Sequence, residues 1–355
     1  MLIRFVPEEL IRAIRSREIA TVRAALKASP HAARRPRPIV EAARAAFVPA
    51  IDLLLRAGAD PNASYRNYRP LHALIQEERQ GAPLEERLGC LRRLLDHGAD
   101  PELTGGWPPG RALILAAFAG VPEYVELLMA AGARLDGFTG AALGHVRIVE
   151  QALRERPGFA RERDCGGLTA LQCAAGSRMP GARTLEIARL LIDAGAEVKA
   201  RTTAWGHEPD ATFFAAGTQQ PEMFRLLLEH HADPCEALSH AVWAEHFELA
   251  ELAIAHGGDP DRATANGKPL LNDLIRWGQM SRALWLVARK ASPNVPDAEG
   301  WTAVHEAAAR GNTRMMQALI AAGGDVTRRD HSGRTPYDVA RDAKREKLLA
   351  MIASA

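Results

Sequence analysis

Aromatic residues are scarce in this 355-residue chain, at 5%. Alanine and leucine must therefore supply most of any core. Cysteine is scarcer still. Cys90, Cys165, Cys173 and Cys235 are scattered and form no C-x-x-C pair, which reads as reduced thiols rather than a disulfide framework. Neither sign of charge dominates: 45 basic residues face 43 acidic ones, for a formal net charge of +2. That balance excludes a general nucleic-acid binder, which needs a concentrated basic face. The local runs Arg34, Arg35, Arg37 and Arg328, Arg329, Arg334 read as solvated turn residues. No stretch approaches the roughly 18 apolar residues of a membrane span. The first fifteen residues carry Arg4, Glu8 and Glu9 and no apolar signal core. The expected location is cytoplasmic, with signal-free secretion left open, and no membrane contact is expected. Heavy use of Ala and Arg has the flavour of a GC-rich bacterial genome.

Signatures of catalysis are missing too. The sequence contains no G-x-x-x-x-G-K-[ST] phosphate loop, no G-x-S-x-G elbow and no G-x-G-x-x-G fingerprint. His305-Glu306 opens a zinc-protease motif, but Ala309 stands where the second histidine is needed. The densest set of metal-ligand residue types is His230, His231, Asp233 and Cys235, followed by His240, His246 and His256. Zinc needs four ligands converging at about 2.0–2.3 Å, and this spacing matches no established zinc pattern. No catalytic residue, metal or cofactor is assigned.

What the chain does have is a recurring helix tail. It reads LLLRAGADP at 53–61, LLDHGADP at 94–101, LLMAAGA at 127–133, LLIDAGA at 190–196 and LIAAGGD at 319–325. A period of roughly 26–40 residues means a stack of small units, each touching only its neighbours. The best-formed unit runs from Asp297 to Val326. Thr302 is placed to cap a first helix, with Val304, Ala307 and Ala308 on one face. Gly311 ends that helix, because Gly accepts a left-handed backbone at no Cβ cost. Met315, Met316, Leu319 and Ile320 give the second helix its apolar face, and Gly323 ends it.

This unit resembles the ankyrin repeat. The match rests on Gly300, Thr302, Val304, His305, Ala307, Ala308, Gly311 and Gly323, and a second strong match runs from Gly167 to Ala175. Pro70-Leu71-His72-Ala73 and Gly333 to Tyr337 add others. About eleven units start near residues 8, 38, 67, 106, 135, 165, 204, 235, 264, 298 and 331. The resemblance implies an all-α solenoid of stacked helix pairs with short hairpin fingers. It also implies a concave face of fingers and first helices, and a bracing role for His72 and His305. One array is expected over 1–355, with 1–37 and 331–355 as capping repeats and 38–330 internal. The third unit has extra residues at 76–90 and the sixth at 176–183. The second, fifth and eighth units leave little room for a finger, whereas 199–210 makes a long one with Trp205 and His207.

In this register the residue after the motif histidine points into the groove. That position is Leu115, Thr139, Cys173, Phe214, His240, Asp273 and Glu306. Phe118, Trp243, Trp277 and Arg310 flank it. The fingers add Tyr65, Tyr68, Trp107, Trp205 and Trp301. The expected partner-binding residues are Trp205, Phe214, His240, Trp243, Asp273, Trp277, Trp301, Glu306 and Arg310. Large amphipathic rings supply binding hot spots, and Trp faces with carboxylates attract positive charge. The implied function is a non-catalytic module, monomeric in isolation, that grips a protein partner. Three alternatives stay open: core packing by the rings, contact through the convex side or the insertions, and an enzyme or small-ligand receptor using His240, Asp273 and Glu306. Equivalent positions about 10 Å apart weigh against the last, since an acid–base pair needs about 2.6–3.2 Å.

Overall fold

Alanine-rich first helices alternate with leucine-paired second helices along the computed structural model, which describes residues 8–76, 81–203, 208–262 and 267–353. The chain forms two compact units, Met1–Phe214 and Ala215–Ala355. In the first unit α1 (Glu8–Arg15) precedes α2 (Ile19–Ala28), α3 (Pro36–Arg44) precedes α4 (Val48–Arg56), and α5 (Pro70–Gln76) precedes α6 (Leu84–Asp96). Next come α7 (Ala112–Ala119) and α8 (Pro122–Ala130), α9 (Gly137–Leu143) and α10 (Val146–Glu155), then α11 (Ala170–Ala175) and α12 (Thr184–Asp193). The helix α13 (Ala211–Gly217) spans the boundary of the units. The second unit holds α14 (Pro221–Glu229), α15 (Pro234–Trp243), α16 (Phe247–Ala255), α17 (Leu270–Arg276) and α18 (Met280–Ala288). It ends with α19 (Ala303–Arg310), α20 (Thr313–Ala321), α21 (Pro336–Asp342) and α22 (Glu346–Ala353). Among the described residues ten first-and-second helix couples pack together, near the starts expected from the sequence.

The local causes are visible in each couple. Thr169 with Gln172, and Thr335 with Asp338, form reciprocal capping boxes at α11 and α21. Thr302 occupies the N-cap of α19, and Gly311 closes that helix in the left-handed region at φ 73°. Val304, Ala307 and Ala308 of α19 are fully buried, as are Met316 and Leu319 of α20. Each buried Leu- or Met-sized side chain stabilises the stack by about 1.5–3 kcal/mol. Ile320 is only half-buried. Small alanines let consecutive first helices approach closely, so the interior is thin and needs few rings.

Between couples, short hairpins stand where a finger has room. β1 (Thr104–Gly105) pairs antiparallel with β2 (Gly110–Arg111). Single bridges join Tyr65 to Tyr68 and Arg163 to Thr169. One aspartate folds each of three fingers by accepting backbone N–H groups two and four residues on. Asp164 takes Gly166 and Leu168, Asp297 takes Glu299 and Trp301, and Asp330 takes Ser332 and Arg334. Where no finger was expected, α8 reaches α9 and α14 reaches α15 through a few residues. A 3₁₀ turn at Pro30–Arg34 fills the place before α3. The sixth insertion lies between α11 and α12 as expected. The third is shorter than 76–90, because α6 already begins at Leu84 and buries Cys90; residues 77–80 lie outside the described ones.

Candidate partner-binding site

The residue that braces one repeat against the next is the third residue of its first helix. His72 places Nε2 3.0 Å from the carbonyl of Gly110. His305 Nε2 lies 3.2 Å from the carbonyl of Arg334. Because a carbonyl only accepts, Nε2 carries the proton in both. His305 Nδ1 then accepts from Thr302, whose hydroxyl is 2.9 Å away. Burial lowers the pKa of both rings, His72 to about 4, so each is a neutral donor. Gln172 does the same work by donating to Ala200 at 3.0 Å, and Asn272 by donating to Trp301 at 2.9 Å. Both histidines are therefore structural, as the resemblance implied.

The next position along was expected to line the groove, and it is mostly covered. Leu115, Thr139, Cys173, Asp273 and Glu306 are buried. Phe214 is 5% exposed, with its ring 5.7 Å from Phe118 and 5.5 Å from Phe213, so it faces aromatic neighbours rather than a partner. Phe118 in turn lies over Gly176, where an added Cβ would come within 2.5 Å of the ring. His240 is half-buried on α15. Trp205 lies outside the described residues.

The remaining tryptophans separate by role. Trp301 is half-buried; its Nε1 donates to Asp330 at 3.0 Å and Arg334 stacks 5.7 Å from its ring, which ties one finger to the next. Trp107 meets Phe213 edge-on at 5.3 Å. Trp285 is half-buried, stacked on Phe247 at 5.0 Å with Arg289 3.9 Å from its ring. Trp243 is half-buried under Arg282, 5.8 Å from its ring. Trp277 differs from all of these: it stands at the C-cap of α17 with 66% of its surface exposed.

Trp277 has charged neighbours in register. Arg276 reaches across to α19, its Nη1 3.8 Å from Glu306 Oε1. Burial raises the pKa of the Glu306 carboxyl, against the pull of Arg276. Arg310, exposed, occupies one repeat on the place that Trp277 holds, each directly before a left-handed glycine, Gly311 and Gly278. Among the described residues no hydrogen bond joins Asp273 to Glu306, so the geometry shows no acid–base pair there. The histidine-rich segment is likewise divided among separate tasks. Asp233 caps α15 and pairs with Arg262, Cys235 accepts from Asp259, and His256 bonds the Leu252 carbonyl. Among the described residues no three His, Cys, Asp or Glu side chains gather as a metal site.

The first unit contains a cluster that sequence reasoning missed. A hollow of about 520 Å³ opens between α1, α3 and the finger at 65–68. Arg15 holds Glu41 through two hydrogen bonds of 3.0 and 2.8 Å, which raises the Arg15 pKa further. Arg37 holds Glu8 at 2.5 and 3.3 Å. Arg44 lies 5.0 Å from the Tyr68 ring, while Arg37 and Arg66 lie 5.9 and 5.5 Å from Tyr65. The pieces were visible as a turn arginine and two finger tyrosines. Nothing in the spacing showed that three successive repeats bring them together.

Two family models match parts of the chain: "Ankyrin repeats (many copies)" over residues 271–320 and "Ankyrin repeat" over 166–203. An ankyrin repeat-containing protein of Schizosaccharomyces pombe is 40% identical over 48 residues, which is 14% of this chain and 23% of that protein. The aligned part therefore spans under a quarter of that relative. The ankyrin repeat domain of Bcl-3, a member of the IkappaB protein family, superposes with a TM-score of 0.50 at 23% identity. It covers 63% of this chain and 99% of the Bcl-3 domain, a likeness of fold. No helix among the described residues is long and apolar enough to cross a membrane.

Proposed function

The chain is an ankyrin-repeat protein, and from that premise we propose that it is a non-catalytic module gripping a protein partner through the first-helix wall and fingers of its second unit. Ankyrin repeats are in general protein–protein interaction modules. The observation that carries the finer reading is Trp277. A ring with 66% of its surface in water contributes little to its own fold, and Trp is the residue type most enriched among binding hot spots. The exposed Arg276 and Arg310 supply charge near it, with Glu306 and Asp273 buried behind them, and His240 and Trp243 extend the wall along α15. A specific, stable contact would bury about 1,200–2,000 Å² in total.

The test is a capture experiment from the cell of origin, read by mass spectrometry, with the natural chain and Trp277→Ala side by side. The expected result is loss of the captured protein in the variant at an unchanged melting temperature. Equal capture by both chains would remove the assignment of the wall.

A further inference from the structure

The hollow in the first unit is prebuilt and cationic. Its finger turns through Arg66 and Asn67, both with positive φ (51° and 63°), and Tyr65 and Tyr68 exchange two backbone hydrogen bonds across the turn. The following finger holds this tip from outside, with Gly106 N–H donating to the Asn67 carbonyl at 2.9 Å and Arg69 donating to Thr104 at 3.0 Å. The wall is thus fixed before any ligand arrives, which lowers the ordering cost of binding. Four arginines line the hollow with one carboxylate, Glu41, while Glu8 pairs with Arg37 beside it. The Glu41 carboxylate is already doubly bonded to Arg15. Arg66 is exposed and, among the described residues, has a tyrosine face and no acidic partner.

We infer that this hollow receives an acidic segment of a partner polypeptide, with carboxylates held by the arginines and the chain lying on Tyr65 and Tyr68. Planar guanidinium groups match carboxylates in paired hydrogen bonds, and tyrosines give wide contact at low entropy cost. A hollow of about 520 Å³ holds a few side chains. A nucleic-acid backbone fits less well, since it needs a continued basic track, and here Glu41 and Glu8 interrupt the arginines. The inference rests on the reading of the chain as a protein-binding module and places a second contact in the first unit.

The test uses the full chain and fluorescence anisotropy. The probe is a fluorescein-labelled peptide of about a dozen alternating Asp, Glu and Gly residues. A Lys/Gly peptide and a single-stranded DNA of similar length serve as comparisons. The acidic peptide is expected to bind, to weaken as salt screens the charges, and to lose about tenfold in affinity in Arg66→Glu, whose melting curve should match the natural chain. Arg44→Glu is expected to act in the same direction; because Arg66 is exposed, its variant carries the test if Arg44→Glu fails to fold. An affinity unchanged within about twofold in Arg66→Glu overturns the inference. Tighter, Arg66-dependent binding of the DNA overturns it in favour of nucleic acid. A captured partner that depends on Trp277 and ignores Arg66 would defeat this inference alone and leave the protein-binding reading intact.

Discussion

Arg15 and Arg276 occupy the same place in their repeats, two residues before the left-handed residues Arg17 and Gly278. Each reaches to a glutamate in the next first helix, Glu41 or Glu306, five residues before the left-handed Ala46 or Gly311. In the first unit the link closes as two hydrogen bonds, the shorter 2.8 Å. In the second it stops at 3.8 Å. The fork of Arg15 satisfies its carboxylate, whereas Glu306 is left buried with its pKa raised. The repeat code thus fixes which residues can meet, and the side chains around them decide whether the carboxylate is satisfied or left buried without a close partner. The two walls diverge accordingly: arginine and tyrosine in the first unit, tryptophan and carboxylate in the second.

The largest expected effect is that of acid on the first unit. His72 has a folded-state pKa of about 4, below the roughly 6.5 of an unfolded histidine. The unfolded chain therefore takes up the proton first. The contribution is whole above about pH 6.5 and is lost as pH falls towards 4, amounting to about 3 kcal/mol at 1.36 kcal/mol per pKa unit. Denaturant titrations across that window should show the loss in the first unit. His72→Gln, which copies Gln172, should flatten it. An unaltered slope in that variant would mean other groups set the acid sensitivity.

Next comes Trp277→Ala, expected to cost about 2 kcal/mol of partner binding and to move the melting temperature by no more than about 1 °C, as surface changes do. Calorimetry with the captured partner, beside a thermal melt, measures both. A large fall in melting temperature would return Trp277 to a packing role.

The two glutamates give the smallest and most direct contrast. Glu41→Gln weakens two charged hydrogen bonds and should destabilise the first unit by about 1–2 kcal/mol at pH 7. Glu306 has a raised folded-state pKa, so its contribution is favourable at low pH and fades as pH rises through that value. Glu306→Gln should then be neutral or stabilising, by less than about 0.5 kcal/mol at pH 7. Equal losses in the two variants would erase the distinction between the tight and the loose link.

Much of the architecture was legible because it depends on neighbours in sequence. Thr169 and Gln172 form a cap three residues apart, Gly311 ends its helix, and His72 and His305 brace the next repeat as their motif implies. The binding residues were less legible. Phe214 and Trp301 were expected at a partner surface, yet one faces Phe118 and Phe213 and the other donates to Asp330. The contacts with Phe118 and Asp330 join residues tens of positions apart, and residue type alone does not say which aromatic finds a neighbour. The arginine–tyrosine hollow went unread for the same reason, since its parts come from three repeats.

The sequence by itself determined the period, the helix couples, their caps and the bracing side chains, because each is settled within one repeat or against the next. Only the tertiary structure decided which equivalent side chains are covered and which stay in water. That choice depends on how closely consecutive first helices approach, and on whether a long side chain such as Arg15 or Arg276 reaches its partner across the gap.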